Sequence, residues 1–295
     1  MTSSKLISVG DIIDRSWRQY TKHIKLLLRI SAVSLIVPTI SILAIALGPG
    51  PTAAENLSSD SVTFLHILSY WIERLNVYFI GPLIGLLVFG ALVIATNTLQ
   101  KSKTVEVKPM LKEAFAHGWR LIAASILKII IIVSPVLAVF PGTFLLLYNG
   151  TYLSSAALSI LGVFLVGIGA AFALVYMVKF AVQYHFVEYE VLLNGRGPTE
   201  ALKETKSRVK GQWWAVCGRI VLPKLLYVLA FAAVYLILSF LAFLIFSALA
   251  VTMEVPARIV LSDIVEQLIS GGLAVISIPL ITSADMWIYD SFRRS

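Results

Sequence analysis

The chain has 295 residues, of which 58% are hydrophobic and only 14% charged, and its mean hydropathy is +0.88. A soluble domain carries about 25% charged residues, so the composition excludes an ordinary soluble enzyme and points to a polytopic membrane protein. The formal charge of +8 would suggest nucleic acid in a soluble chain; here basic loops on one membrane face account for it, and no nucleic-acid partner is expected.

The first 25 residues are polar and amphipathic, and they do not read as a cleaved signal peptide. Within Ser8–Ile24, residues Val9, Ile12, Ile13, Ser16, Trp17, Tyr20 and Ile24 share one helical face, and Asp11, Asp14, Arg15, Arg18 and Lys22 share the other. A crossing helix needs about 20 apolar residues, and Leu26–Leu47 supplies the first. Gly48-Pro49-Gly50-Pro51 ends it, a polar loop follows over Thr52–Ser61, and an interfacial helix is expected through His66, Tyr70 and Trp71. The second span runs from about Val77 to Thr98, with a kink expected at Gly81-Pro82.

Gln100–Gly118 is polar and holds a second amphipathic helix, its apolar face formed by Val107, Met110, Leu111, Ala114, Phe115 and Trp119. The third span begins near Trp119 and reaches Tyr148, interrupted by Pro135 and Pro141-Gly142; a turn follows at Asn149-Gly150. The fourth, about Ser155 to Phe180, is rich in small residues (Gly162, Gly167, Gly169, Ala170, Ala171), which suits close helix packing. Gly197-Pro198 and Glu200 start a third amphipathic helix, whose stripe is Ala201, Leu202, Thr205, Val209 and Trp213. The fifth span lies within Val216–Val251 and the sixth within Arg258–Tyr289.

The three amphipathic segments align as Ile12-Ile13, Met110-Leu111 and Ala201-Leu202, each followed by a small residue (Ser16, Ala114, Thr205). Each precedes a pair of spans. We therefore read 1–295 as a single all-α membrane domain of six transmembrane helices: three hairpins, each led by a cytoplasmic amphipathic helix, with internal repeats over 8–98, 106–182 and 198–290. All but seven of the 24 Lys and Arg residues lie in the N-terminal segment, the two loops that hold the later amphipathic helices, and the C-terminus. By the positive-inside rule both termini are expected on the cytoplasmic side of the cell membrane. The triplets Asn56-Leu57-Ser58 and Asn149-Gly150-Thr151 then form glycosylation sequons on the outer side.

Five basic residues flank or enter spans: Arg29, Lys128, Lys179, Arg219 and Lys224. Uncharged runs outward of them are long enough to cross alone, so all five are placed at the inner-leaflet level, where their side chains snorkel to the headgroups. Asp285 shares that level, and Asp263 and Glu266 sit at the outer edge. The membrane centre is then left without a titratable group, which counts against a proton-coupled transporter. The five form a basic collar, read as a lipid-binding set for anionic headgroups, each charge contributing about 1 kcal/mol.

The chain has no HExxH, GxSxG or GxxxxGK[ST] motif, and His23, His66, His117 and His185 lie apart with no partner at ligand spacing. Glu188 and Glu190 flank Tyr189 in an apolar run and are read as a solvated connector. The one cysteine, Cys217, excludes an internal disulfide and is read as a packed residue. No catalytic residue, metal or cofactor is expected.

Three stretches carry a resemblance: VGDIIDRSWRQY, PTEALKETKSRVKGQWW and IPLITSADMWIYDSFRR. They resemble the bacterial six-span family related to the membrane domain of glycerophosphoryl diester phosphodiesterases, in which a helix patterned eAL..s...vkG..w precedes a span and the chain ends in a YYDLR-like sequence. The matching residues are Glu200-Ala201-Leu202, Val209-Lys210-Gly211 with Trp213 or Trp214, and Tyr289-Asp290 with Arg293, while Ser291-Phe292 departs from the usual ending. The resemblance implies a membrane module without the soluble hydrolase domain. The expected function is thus a non-enzymatic membrane module that engages anionic lipid, a partner protein or a second copy of itself through its cytoplasmic helices. The alternative is a transporter or flippase-like permease for an apolar or amphipathic solute.

Overall fold

A computed structural model describes residues 7–47, 64–101, 104–249 and 255–293. No strand occurs among them, and six helical runs are long and apolar enough to cross a membrane: Ile24–Leu47, Phe64–Gln100, Gly118–Leu153, Ala156–Asn194, Trp213–Ala248 and Ala257–Arg293. The protein is an all-α, multi-pass integral membrane protein. The terminator at 48–51, the loop at 52–61 and its sequon at Asn56 lie outside the described residues.

The helices are α1 (Val9–Lys22), α2 (Ile24–Ser31), α3 (Ile36–Leu47), α4 (Phe64–Leu75), α5 (Gly81–Gln100), α6 (Val107–Ala116), α7 (Gly118–Val133), α8 (Phe140–Tyr148), α9 (Ala156–Gln183), α10 (Val187–Asn194), α11 (Pro198–Val209), α12 (Trp213–Leu249) and α13 (Val255–Arg293). They form two compact units, one drawn from Met1–Gly118 with Arg219–Ser295 and the other from Trp119–Gly218.

In the first unit Ser8 caps α1, its Oγ accepting from Asp11 N–H at 3.1 Å, and Asp11 in the first turn suits the helix dipole. Ile12, Ser16 and Tyr20, spaced by four, are buried, and α1 packs on α13. α5 is buried on all sides from Ala91 to Thr96, as suits a central helix, and it meets α2, α6 and α13. Polar side chains tie α3 to α4: Asn76 Nδ2 donates to the Val37 carbonyl (2.8 Å) and Ser41 Oγ (2.9 Å), and Ser69 Oγ donates to the Ala44 carbonyl (2.7 Å). In hydrocarbon no water competes for these groups, so such bonds fix helix pairing.

The segment through His66, Tyr70 and Trp71 is no separate interfacial helix. α4 runs through one π turn, Asn76–Ile80, straight into α5. The expected break at Gly81-Pro82 becomes that turn, because Pro82 lacks an N–H and sits where a new helical stretch starts. Pro135 and Pro141 act alike in the third span, where a 3-10 stretch (Ser134–Val139) joins α7 to α8.

In the second unit α9 lies against α8 and the 3-10 stretch with almost no gap. A Cβ built on Gly142 would meet Val166 N at 2.5 Å, and one built on Gly169 would meet the Ala138 carbonyl oxygen at 2.3 Å. These glycines are required by backbone approach. Asn149, expected in an exposed sequon, is buried instead: its Nδ2 donates to the Ser155 carbonyl (2.9 Å) and Ser159 Oγ (2.8 Å), and its Oδ1 accepts from Ser155 N–H (2.9 Å). Its side chain organises the approach to α9. Asn149 is therefore expected to stay unmodified when the protein is expressed in a glycosylating host; a glycosidase-sensitive mass increase lost in Asn149→Gln would contradict this burial.

Candidate functional site

The charged residues near the ends of the spans form two buried clusters, one in each unit. In the second unit Gly195 ends α10 with φ +65°, a left-handed value that glycine adopts without penalty. The chain then turns through Arg196 and Gly197 into α11, which starts at Pro198 and packs back on α10. Glu200 Oε2 accepts from Gly197 N–H at 3.4 Å, closing the turn.

This reversal brings α11 over Glu190, which has no solvent exposure. Arg208 Nη1 lies 3.1 Å from Glu190 Oε1, Arg196 Nη1 lies 3.3 Å from Oε2, and Asn194 Nδ2 donates to Oε2 at 2.7 Å. Glu204 ties the same two guanidiniums together, at 2.9 Å from Arg208 Nε and 2.7 Å from Arg196 Nη1. The hydrogen bond from Arg208, with that from Arg196, outweighs burial and holds the Glu204 carboxyl below the usual carboxylate range.

Two positions before Glu190 on α10, Glu188 points about 200° away around the helix. It pairs with Lys128 on α7 and accepts from Ser125 Oγ at 3.2 Å. Glu188 and Glu190 are thus no solvated connector: both are buried and ion-paired, because a charge in an apolar run is tolerated only with a partner. Ala124, Tyr184, Val187, Val191 and Ala201 pack as the apolar core beside them.

In the first unit Lys224 Nζ of α12 lies 2.8 Å from Asp285 Oδ2 of α13, and Asp285 is buried. Nearby on α12, the Tyr227 hydroxyl meets Ser16 Oγ of α1 at 2.7 Å, and Arg219 Nε donates to the Ile7 carbonyl at 2.7 Å. Arg15 of α1 stacks over Trp287 of α13 at 5.3 Å. These contacts seat α1 on its buried stripe.

Of the five residues read as a basic collar, Lys128 and Lys224 therefore have their charge matched by Glu188 and Asp285, and Arg219 holds a backbone carbonyl. Arg29 is exposed on α2. Lys179 is exposed on α9, its ammonium over the Tyr176 ring at 5.1 Å and its carbonyl accepting from Trp213 Nε1 at 3.1 Å. Comparison with family models, characterised proteins and solved structures finds no match. Among the described residues no group of three or more His, Cys, Asp or Glu is placed to hold a metal ion. Cys217 is half-buried.

The helices read as amphipathic carry a second kind of candidate surface. With Ile12, Ser16 and Tyr20 facing inward, Trp17 of α1 is left 54% exposed beside exposed Arg18 and Lys22. On α6, Ala114 is buried and Phe115 is 75% exposed, with Lys112 exposed one turn earlier. On α11, Ala201, Thr205 and Val209 face inward, while Lys203, Lys206 and Lys210 are exposed. The aligned small residues Ser16, Ala114 and Thr205 are all buried, and the position after each (Trp17, Phe115, Lys206) is exposed. Sequence reasoning put Trp17 and Phe115 on the apolar faces without separating the residues that touch protein from those left for another medium.

Proposed function

We propose that this protein is a non-enzymatic module of the cell membrane, with both termini cytoplasmic, that binds anionic lipid headgroups through α1, α6 and α11. The observation that carries this reading is that each of these helices, anchored by one face, leaves basic side chains exposed on the other, joined by Trp17 on α1 and by Phe115 on α6. An indole or phenyl ring next to Lys and Arg matches the membrane–water boundary: the ring enters the acyl edge and the cation meets phosphate. Arg29 and Lys179 are exposed as well, each in its own unit; Lys128, Arg219 and Lys224 hold Glu188, the Ile7 carbonyl and Asp285.

The resemblance to the membrane domain associated with glycerophosphoryl diester phosphodiesterases supports the same reading. It implies a membrane module; that lipid, a protein partner or a second copy is gathered on it is our reading of its helices. The alternative of a permease for an amphipathic solute draws on the small-residue fourth span and on the prolines within the spans, Pro82, Pro135, Pro141, Pro223 and Pro279.

The test uses the purified full chain in nanodiscs of mixed phosphatidylglycerol and phosphatidylcholine, with the lipid that co-purifies after detergent extraction measured by mass spectrometry. Enrichment of phosphatidylglycerol is expected. It is expected to fall about fivefold for each charge removed in Arg18→Gln, Lys22→Gln and Lys112→Gln, following about 1 kcal/mol per cation. Equal recovery of the two lipids by the unaltered chain would sink the proposal.

A further inference from the structure

In the first unit, the end of α12 remote from Lys224 stands away from α13, leaving a groove of about 610 Å³ between them. None of the apolar window of α12 is buried against protein. One end of the groove carries Arg258 with Ser247 and Ser262, its walls are Phe243, Phe246 and Ile259, and its floor is Tyr235 and Ile269. The Tyr235 hydroxyl donates to Glu266 Oε1 at 3.1 Å, joining the two helices at that floor.

Position along α13 sets the depth of this groove. Arg258 and Asp285 are 27 positions apart, about 40 Å at 1.5 Å per residue, close to the thickness of a bilayer with its headgroups. With the Lys224–Asp285 pair at one headgroup level, Arg258 falls at the other. Ile269, eleven positions further in, is about 16 Å deeper, roughly the depth of one leaflet's hydrocarbon. The groove therefore runs from a cation at the phosphate level to a floor of Ile269 and Tyr235 near the membrane middle. The helix start at Val255 adds its partial positive charge to the same end.

We infer that this groove holds a single glycerophospholipid of the leaflet opposite the Lys224–Asp285 pair, with its phosphate on Arg258 and an acyl chain laid along Phe246 and Phe243. A diacyl lipid fits where a soluble ligand does not, because the groove is open sideways to the acyl region along its length. The charge order is also that of a phospholipid: the cation stands outermost, and the one carboxylate in the groove, Glu266, is taken up by Tyr235. This site is separate from the surface on α1, α6 and α11, and neither depends on the other.

The experiment is native mass spectrometry of the purified full chain after delipidation and titration with dioleoylphosphatidylethanolamine, with dioleoylglycerol, or with inorganic phosphate. One phosphatidylethanolamine per chain is expected to persist, with neither dioleoylglycerol nor phosphate replacing it. Arg258→Gln is expected to weaken retention about tenfold, the loss of one charge-assisted contact; Arg258→Lys is expected to restore most of it. Ala242→Phe, which adds bulk to the α12 wall of the groove, is expected to abolish it. Thermal unfolding of each variant in the same detergent checks folding. Dioleoylglycerol bound as well as phospholipid, free phosphate competing equally, retention unchanged in Arg258→Gln or Ala242→Phe, or a dimer that Ala242→Phe turns into monomer would each overturn the inference.

Discussion

A Glu190→Leu chain is expected to lose about 3 kcal/mol of stability, measured as unfolding in mixed micelles. Removing one partner of a buried ion pair costs about 3–5 kcal/mol, because the charge left behind loses its solvation and its pairing together. Here the low end applies. Arg196 and Arg208 keep 32% and 22% of their side-chain exposure, so each recovers some solvent when Glu190 is gone. Glu204 also still bridges both. Glu190→Gln is expected to cost less, since the amide keeps an acceptor for Arg208, and Glu204→Gln less again. Losses below about 1 kcal/mol in Glu190→Leu would show that α11 is held on α10 by the apolar contacts of Ala201 and Leu202 alone.

Gly169→Ala is expected to destabilise the second unit by about 2–3 kcal/mol, the upper part of the range for overpacking a filled contact. The added Cβ would lie 2.3 Å from the Ala138 carbonyl oxygen and 2.8 Å from its carbon, both backbone atoms, so a rotamer change relieves nothing and the helices must part. Gly167 sits two positions away on the same helix with nothing within 4 Å of an added Cβ. Gly167→Ala is expected to be neutral or stabilising by up to about 1 kcal/mol from helix propensity. The pair separates packing from composition: equal effects at the two sites, by the same unfolding assay, would refute the close approach of α9 to the 3-10 stretch.

The six spans were readable from sequence because membrane crossing is a property of length and hydropathy, and each apolar run became helix. The small-residue fourth span is also readable, although composition does not say which glycine faces a neighbour: Gly162 and Gly169 do, Gly167 does not. The charged cluster was the main loss. Glu188 and Glu190, read as a solvated connector, face different ways on a helix and answer to partners far along the chain. A signal was present: two carboxylates in the run VEYEVLL oblige nearby cations, and Arg196, Arg208 and Lys128 were available. Choosing among them needed the turn at Gly195, whose left-handed backbone aims α11. Asn149 was misread for a related reason: a sequon says nothing about whether the amide already serves a helix start.

The first unit is discontinuous in the chain, and that bears on how the protein is made. Ser31 Oγ donates to the Val275 carbonyl at 2.7 Å, Arg219 reaches Ile7, and the inward stripe of α1 rests on the last helix. At synthesis rates of about 5–20 residues per second, the N-terminal helix leaves the ribosome roughly ten seconds or more before its docking surface exists. During that interval Ile12 and Tyr20 need a temporary cover, and the lipid interface is at hand. The inward stripe of α1 is therefore without its partner until α13 has been made. A chain released before Leu280 would carry α1 with its inward stripe still unseated.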